Sequence, residues 1–297
     1  MSPRAIPVLE IGGTHVTAAL VDPVAARAVA RVREPLDAQG GREDILGAIT
    51  GCAHALVRQA GTHQVAGAVW GVAVPGPFDY ATGLARFAGV GKFDALYGVD
   101  LRARLLTGLP GRPRDAVFLN DAHAFLVGEW RAGTARGHDR CVGVTLGTGV
   151  GSAFLAEGRV CHEGPGVPPD GRVDLLRSGG LPLEETVSRR AIRARYDDPD
   201  ADVDVIAARA RLGEPRARRV LDEAFTALGR VLGPCLDGFR ASVLVVGGSM
   251  TGSWDLVGPA LRAGLEPHLT PGRTLVRPGA LAEDAALTGA AAFAAAL

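Results

Sequence analysis

The sequence predicts an α/β protein of two domains, and three observations carry that prediction. Its 297 residues suffice for two cores of ordinary size. Short apolar runs that end in glycine turns alternate with longer segments of helical period. The opening pattern, an apolar run, a glycine turn and a second apolar run, also recurs near the middle of the chain.

The first of these, Val8 to Asp22 (VLEIGGTHVTAALVD), reads as a hairpin whose turn carries Gly12, Gly13 and Thr14. Glycine lets a large ligand approach the backbone, Thr14 adds a hydroxyl, and Glu10 places a carboxylate at the strand end. Such a set suits phosphate and a metal ion; an ordinary tight hairpin with a solvated glutamate suits it equally. Ala28 to Arg33 extends the sheet. Glu43 to Ala60 carries Ile45, Leu46, Ile49, Cys52, Ala53 and Leu56 at helical spacing, and Gly61 stops it. Val65 to Val74 is apolar enough for a strand covered on both faces. Pro75-Gly76-Pro77 must turn, and a loop-rich stretch with Gly89, Gly91 and Lys92 follows.

Val117 to Leu119 forms a short strand running into Asn120-Asp121, and Ala122 to Arg131 a helix. Ligands gather outside the carboxyl ends of strands in open α/β sheets, so this junction is a candidate catalytic address. Cys141 to Leu155 (CVGVTLGTGVGSAFL) repeats the opening. Laid over it, Gly12-Gly13-Thr14 falls on Gly147-Thr148-Gly149, with Ala18 and Leu20 on Ala153 and Leu155. Gly158 to Leu181 reads as a long loop. Pro182 to Tyr196, Val203 to Leu212 and Pro215 to Phe239 have helical spacing. Ser242 to Val246 is a buried strand ending in Gly247-Gly248-Ser249. A strand at Arg273 to Val276 and a helix from Glu283 to Leu297 finish the chain.

Composition excludes several functions. Thirty-two basic residues balance thirty-two acidic ones, which implies neither nucleic acid nor an anionic membrane as partner. Hydrophobic content of 47% and charged content of 22% suit a globular protein. No signal peptide and no membrane-length apolar run is visible, and Cys52, Cys141, Cys161 and Cys235 are scattered, so a cytoplasmic setting with free thiols is expected. GxxxxGK[ST] is absent, since Phe93 follows Lys92, and neither GxGxxG, GxSxG nor HExxH occurs.

Three glycine turns at strand ends remain, with Asn120-Asp121 between the first two. Two opposed hairpins can hold nucleotide phosphates through backbone amides, and a strand-end aspartate can take the proton of an attacking hydroxyl.

On these motifs the chain resembles the ROK family of sugar kinases, within the actin/hexokinase ATPase superfamily. LEIGGT is similar to the family's first phosphate motif, LNDAHAFLVGE to its catalytic segment, GVTLGTGVG to its second phosphate motif, VVGGS to its adenosine motif, and LEETVSRRAI to the stretch with a sugar-binding glutamate. The resemblance implies a ribonuclease-H-like fold, residues 1–120 with 283–297 forming one domain and 121–282 the other, and a sugar cleft between them. It implies ATP and Mg²⁺ as cofactors and a hexose or amino-hexose as substrate, phosphorylated at the 6-hydroxyl. Asp121 becomes the base; Gly76, Gly89, Asn120, Asp121, Asp170 and Glu184 contact sugar. Gly12, Gly13, Thr14, Gly147, Thr148, Gly149, Gly247, Gly248 and Ser249 face nucleotide, and Glu10 acts on Mg²⁺ through water. A homodimer is also an expectation of the resemblance. Plainer roles stand beside these: Asp121 as a helix cap and Glu184 as a helix N-terminal charge.

Three departures from the family pattern qualify the reading. Glu10 stands where the family has Asp, which displaces the carboxylate by about 1.5 Å. The family's zinc motif is gone: GPGVPPDGRVDLLRSGGLPLE holds no Cys or His, so no zinc site is expected. Lys92, the only lysine, lies in a loop that replaces the family's Pro-Asn sugar loop; it either supplies a sugar hydrogen bond or is a solvated surface lysine. The first two departures leave a non-catalytic sugar sensor as an alternative; a kinase for N-acetylated amino sugars is another, and the third departure favours a kinase for kanosamine or another amino sugar in a specialised pathway.

Overall fold

A computed structural model describes residues 5–61 and 65–296. The expected helix end at Leu297 and the first four residues lie outside that range. The chain divides into two compact units, one of Met1–Arg131 with Glu283–Leu297 and one of Ala132–Ala282.

The first unit is built on a five-stranded sheet. Its strands are β1 (Ile6–Ile11), β2 (His15–Asp22), β3 (Arg27–Pro35), β4 (Val69–Val74) and β5 (Asp115–Asn120), in the order β3-β2-β1-β4-β5. The first three are antiparallel, and β4 and β5 join in parallel. Helix α1 (Arg42–Ala60) buries the predicted stripe from Ile45 to Val57 against one face. Gly61, at φ 92°, ends it and donates its N–H to the Val57 carbonyl. Helix α2 (Leu101–Gly108) and helix α3 (Asp121–Ala132) flank β5 in sequence.

The second unit repeats this plan. Strands β6 (Arg140–Leu146), β7 (Val150–Ala156), β8 (Arg159–Val160), β9 (Val243–Gly247) and β10 (Leu275–Pro278) lie in the order β8-β7-β6-β9-β10. Again three antiparallel strands are followed by two parallel ones. Helices α4 (Glu184–Val187), α5 (Arg189–Tyr196), α6 (Val203–Arg211), α7 (Pro215–Phe239) and α8 (Trp254–Leu265) belong to this unit, and α9 (Asp284–Ala295) returns to the first. Two sheets of identical topology make the chain an internal duplication.

Several expectations need correction. The strand expected from Val65 begins only at Val69, because Val65 to Gly67 is a turn in which Gly67 takes φ 64° and donates its N–H to the Gly111 carbonyl. The overlay of the hairpins slips by one residue in its second strand. Ile11 pairs with Val16 but Leu146 with Val150, so the counterpart of Ala18 in the second hairpin is Ser152 and that of Leu20 is Phe154. One additional residue in the first turn accounts for the shift, and such a slip exchanges the faces of every side chain. The helix expected over Pro182 to Tyr196 breaks at Ser188, whose extended backbone separates α4 from α5. The last strand sits two residues later than expected, since Val243 pairs with Leu275 while Arg273 is held in a turn to Thr270.

Glycines let α9 dock. A Cβ at Gly71 would collide with the Ala290 carbonyl, one at Gly128 with that of Ala285, and one at Gly289 with that of Ala124. Backbone contact of this kind attaches α3 and α9 to the same unit. Loop 158–181 is held by ordinary chemistry. The buried Ser152 hydroxyl donates to the Gly171 carbonyl (2.6 Å) and accepts from Val173 N–H (3.1 Å). Val173 is fully buried, and Arg172 grips Asp174 with two hydrogen bonds (3.2 and 2.5 Å). Gly166 abuts the backbone of α7 near Phe239, where a Cβ could not fit. Among the described residues no helix is long and apolar enough to cross a membrane.

Candidate active site

Strand alternation aims Glu10. Leu9 and Ile11 point into the core under α1, so Val8 and Glu10 face the other side, where Val8 packs with α9. Burial, then the nearby Asp121 carboxylate, pushes the Glu10 pKa up to about 7; Arg33 and Arg31 partly offset this. Beyond Glu10 the chain turns: Gly12 N–H donates to the His15 carbonyl (2.9 Å). Gly13 and Thr14 are exposed, and nothing lies within 4 Å of where a Gly13 Cβ would be. The amide tip is thus open to a ligand.

Asn120 ends β5 and Asp121 begins α3. Asn120 Oδ1 accepts from the N–H groups of Ala122 (2.9 Å) and His123 (3.3 Å), so the cap belongs to Asn120. Its Nδ2 donates to the Tyr80 hydroxyl (3.0 Å), which donates onward to the Val74 carbonyl (3.3 Å). This chain pins Asn120 between two parallel strand ends. Asp121 is half-buried and accepts from Ala122 N–H (2.9 Å). Burial raises its pKa; the Lys92 charge, backbone N–H donors and Asn120 pull it back. The opposing cation favours the ionised carboxylate, the form that can accept a proton.

Glu10 gives the first unit a hard oxygen donor whose repulsion with Asp121 a nearby dication would relieve. That fits Mg²⁺, which takes one or two carboxylates and completes its shell with water and phosphate.

In the second unit Gly147, Thr148 and Gly149 join β6 to β7, and Gly147 N–H bonds to the Gly149 carbonyl (3.1 Å). The Glu184 carboxylate lies against this turn: a Cβ at Gly149 would be 2.6 Å from Glu184 Oε1. The break at Ser188 serves the same turn. It frees Arg189 N–H to donate to the Gly147 carbonyl (3.0 Å), while the Ser188 hydroxyl accepts from Ala191 N–H (3.3 Å). Gly247 ends β9. Gly248, at φ 87°, packs so tightly on Leu146 that any Cβ would strike its backbone, and Ser249 lies beside Gly147. The two glycine turns of this unit therefore stand back to back. An open pocket of about 680 Å³ next to Thr148 is lined by Arg189, Arg190 and Arg193 among others.

The ROK family model matches residues 7–296. The chain belongs to the ROK family. A glucokinase of Thermotoga maritima is 27% identical over 315 residues, covering 96% of this chain and 95% of that one. A ROK hexokinase structure from Thermus thermophilus superposes with a TM-score of 0.75 at 26% identity, covering 96% of each chain. A ROK family glucokinase from Streptomyces griseus, solved with glucose and AMPPNP, gives 0.77 at 24% identity over 99% of this chain and 100% of that one. The fold is the two-domain actin/hexokinase type.

Within this ROK-family chain the first unit brings together Glu10, Gly12, Gly13, Thr14, Gly76, Asn120 and Asp121. Gly76 sits beside Tyr80, whose hydroxyl would be 3.4 Å from a Cβ there. The second unit brings together Gly147, Thr148, Gly149, Glu184, Gly247, Gly248 and Ser249. Gly89 and Asp170 are both exposed and both take positive φ (65° and 56°). Asp170 acts on Arg172, as does Glu184. Tyr80 was not legible as a site residue, because nothing in its local sequence ties it to Asn120, 40 residues away. The reach of the Lys92 charge to Asp121 was equally hidden.

Proposed function

We propose that this ROK-family sugar kinase transfers the γ-phosphoryl group of ATP to the 6-hydroxyl of a hexose or amino-hexose, with Asp121 as general base. The observation that carries the reading is the setting of Asp121 at a parallel strand end, half-buried, beside the capping Asn120 and within reach of the Lys92 charge. In the reaction the sugar hydroxyl gives its proton to Asp121 as its oxygen bonds to the γ-phosphorus, and ADP leaves with the electrons of the broken P–O bond. Asn120 and Glu184 hold sugar hydroxyls. The amides of Gly13 and Gly149 and the hydroxyls of Thr14 and Thr148 hold phosphate, and Gly248 and Ser249 make room for adenosine. Glu10 holds Mg²⁺ through water; when bound, the ion neutralises phosphate charge.

The glucokinase of Thermotoga maritima and the Streptomyces griseus complex with glucose and AMPPNP support the choice of substrate and nucleotide. An ADP-release assay over glucose, mannose, their amino and N-acetylamino forms and kanosamine tests it. Asp121→Asn should lower kcat by about 10²–10⁴-fold, the usual size of general-base assistance. Near-normal turnover by that variant would remove Asp121 from the role. ATP binding without turnover on any sugar would favour the sensor reading, to which Glu10 lends weight.

A further inference from the structure

The loop that carries the only lysine is built with unusual firmness. Phe93 is buried, its ring 5.2 Å from that of Phe87, and its N–H donates to the Ala38 carbonyl (2.6 Å). The Asp94 carboxylate accepts from the N–H groups of Val90 (3.2 Å) and Gly91 (3.3 Å), and Gln39 Nε2 donates to the Gly91 carbonyl (3.4 Å). Every neighbour of Lys92 is thus tied to the scaffold. Lys92 itself is partly buried, and among the described residues it makes no hydrogen bond and no ion pair. Its positive charge reaches Asp121 and is the main charge opposing that carboxylate. An ammonium has three donors and no acceptor, so a ligand that brings oxygen atoms beside Lys92 can accept hydrogen bonds from it.

We propose that Lys92 sets the charge selectivity of the sugar site, admitting sugars that present a hydroxyl, carbonyl or anionic oxygen to it and rejecting those that carry a free ammonium. The inference rests on the sugar-kinase reading above and narrows its substrate class. A hydroxyl or an N-acetyl carbonyl accepts a hydrogen bond from Lys92. A protonated amine offers no lone pair and sets a second positive charge in the same partly desolvated space. Asp121 would attract such an amine, but its carboxylate is committed to the reacting hydroxyl and to Ala122 N–H. Like charges within about 8 Å at an effective dielectric near 20 are worth roughly tenfold or more in affinity.

The test compares glucose, N-acetylglucosamine and glucosamine at a pH below the amine's pKa, for the natural protein, Lys92→Met and Lys92→Arg. Turnover is read by ADP release, and sugar binding without nucleotide by calorimetry. The natural protein should disfavour glucosamine against the better neutral sugar by about tenfold or more. Lys92→Met should bring that ratio toward one, and Lys92→Arg should retain it. An equal ratio in the natural protein and Lys92→Met, a preference for glucosamine in the natural protein, or no binding of any of the three overturns the inference. Absence of turnover with a Lys92-dependent binding preference would sink the kinase reading and leave the inference standing.

Discussion

Replacing Glu10 by Gln should stabilise the first unit in a manner that depends on pH. In the unfolded chain Glu10 releases its proton near 4.5, whereas burial and Asp121 hold it on until about 7 in the folded protein. Between those values the folded state binds more protons than the unfolded one, so this group's contribution falls as pH rises through the window. At about 1.4 kcal/mol per pH unit, the full cost above the window is about 3 kcal/mol. Gln keeps the shape and removes the charge. Near pH 4.5 the two proteins should differ by less than about 1 kcal/mol, and near pH 8 the variant should be more stable by about 3 kcal/mol. Urea titrations in a Trp254→Phe background give the readout, because the remaining tryptophans, Trp70 and Trp130, both belong to the first unit. Taking the difference between variant and parent cancels every other titrating group except Asp121 and Glu283, whose coupling to Glu10 is part of the effect. A difference that does not change with pH, or a variant less stable near pH 8, refutes the argument. Turnover should fall in the same variant, since the carboxylate that costs stability is the one assigned to Mg²⁺.

The other predictions concern the scaffold. Ser152→Ala strips the Gly171 carbonyl and Val173 N–H of their shared partner, and should cost about 1–3 kcal/mol and speed amide exchange across residues 165–176. Unchanged exchange there would show that the loop is held by other contacts. Gly128→Ala drives a methyl into the Ala285 carbonyl and should cost about 1–3 kcal/mol or more, read as a lower Tm with altered Trp130 fluorescence. A neutral outcome would mean that α9 shifts without penalty.

Much of the site was legible because phosphate chemistry uses backbone. A strand, a glycine turn and a second strand leave a trace that a single sequence can show twice, and the pair at Gly12–Thr14 and Gly147–Gly149 led to the family. Asn120-Asp121 was legible as a strand-to-helix junction. The sharing of labour there was not: Asn120 takes the cap through its Oδ1, and Tyr80 pins it from another loop. The break at Ser188 was also hidden, because apolar spacing continues through it while the decisive bond runs to Gly147.

The sequence by itself determined the two-sheet α/β plan, the duplicated hairpin, the place of Asp121 at a strand-to-helix junction and the family. Those follow from local periodicity and from residue types that glycine turns and strand ends require. Only tertiary structure decided the one-residue difference between the two hairpins, the burial that lifts Glu10, the anchoring of loop 158–181 by Ser152 and the reach of the Lys92 charge to Asp121. Each of these depends on a partner distant in the chain, and burial and Coulomb interaction are set by distance in space.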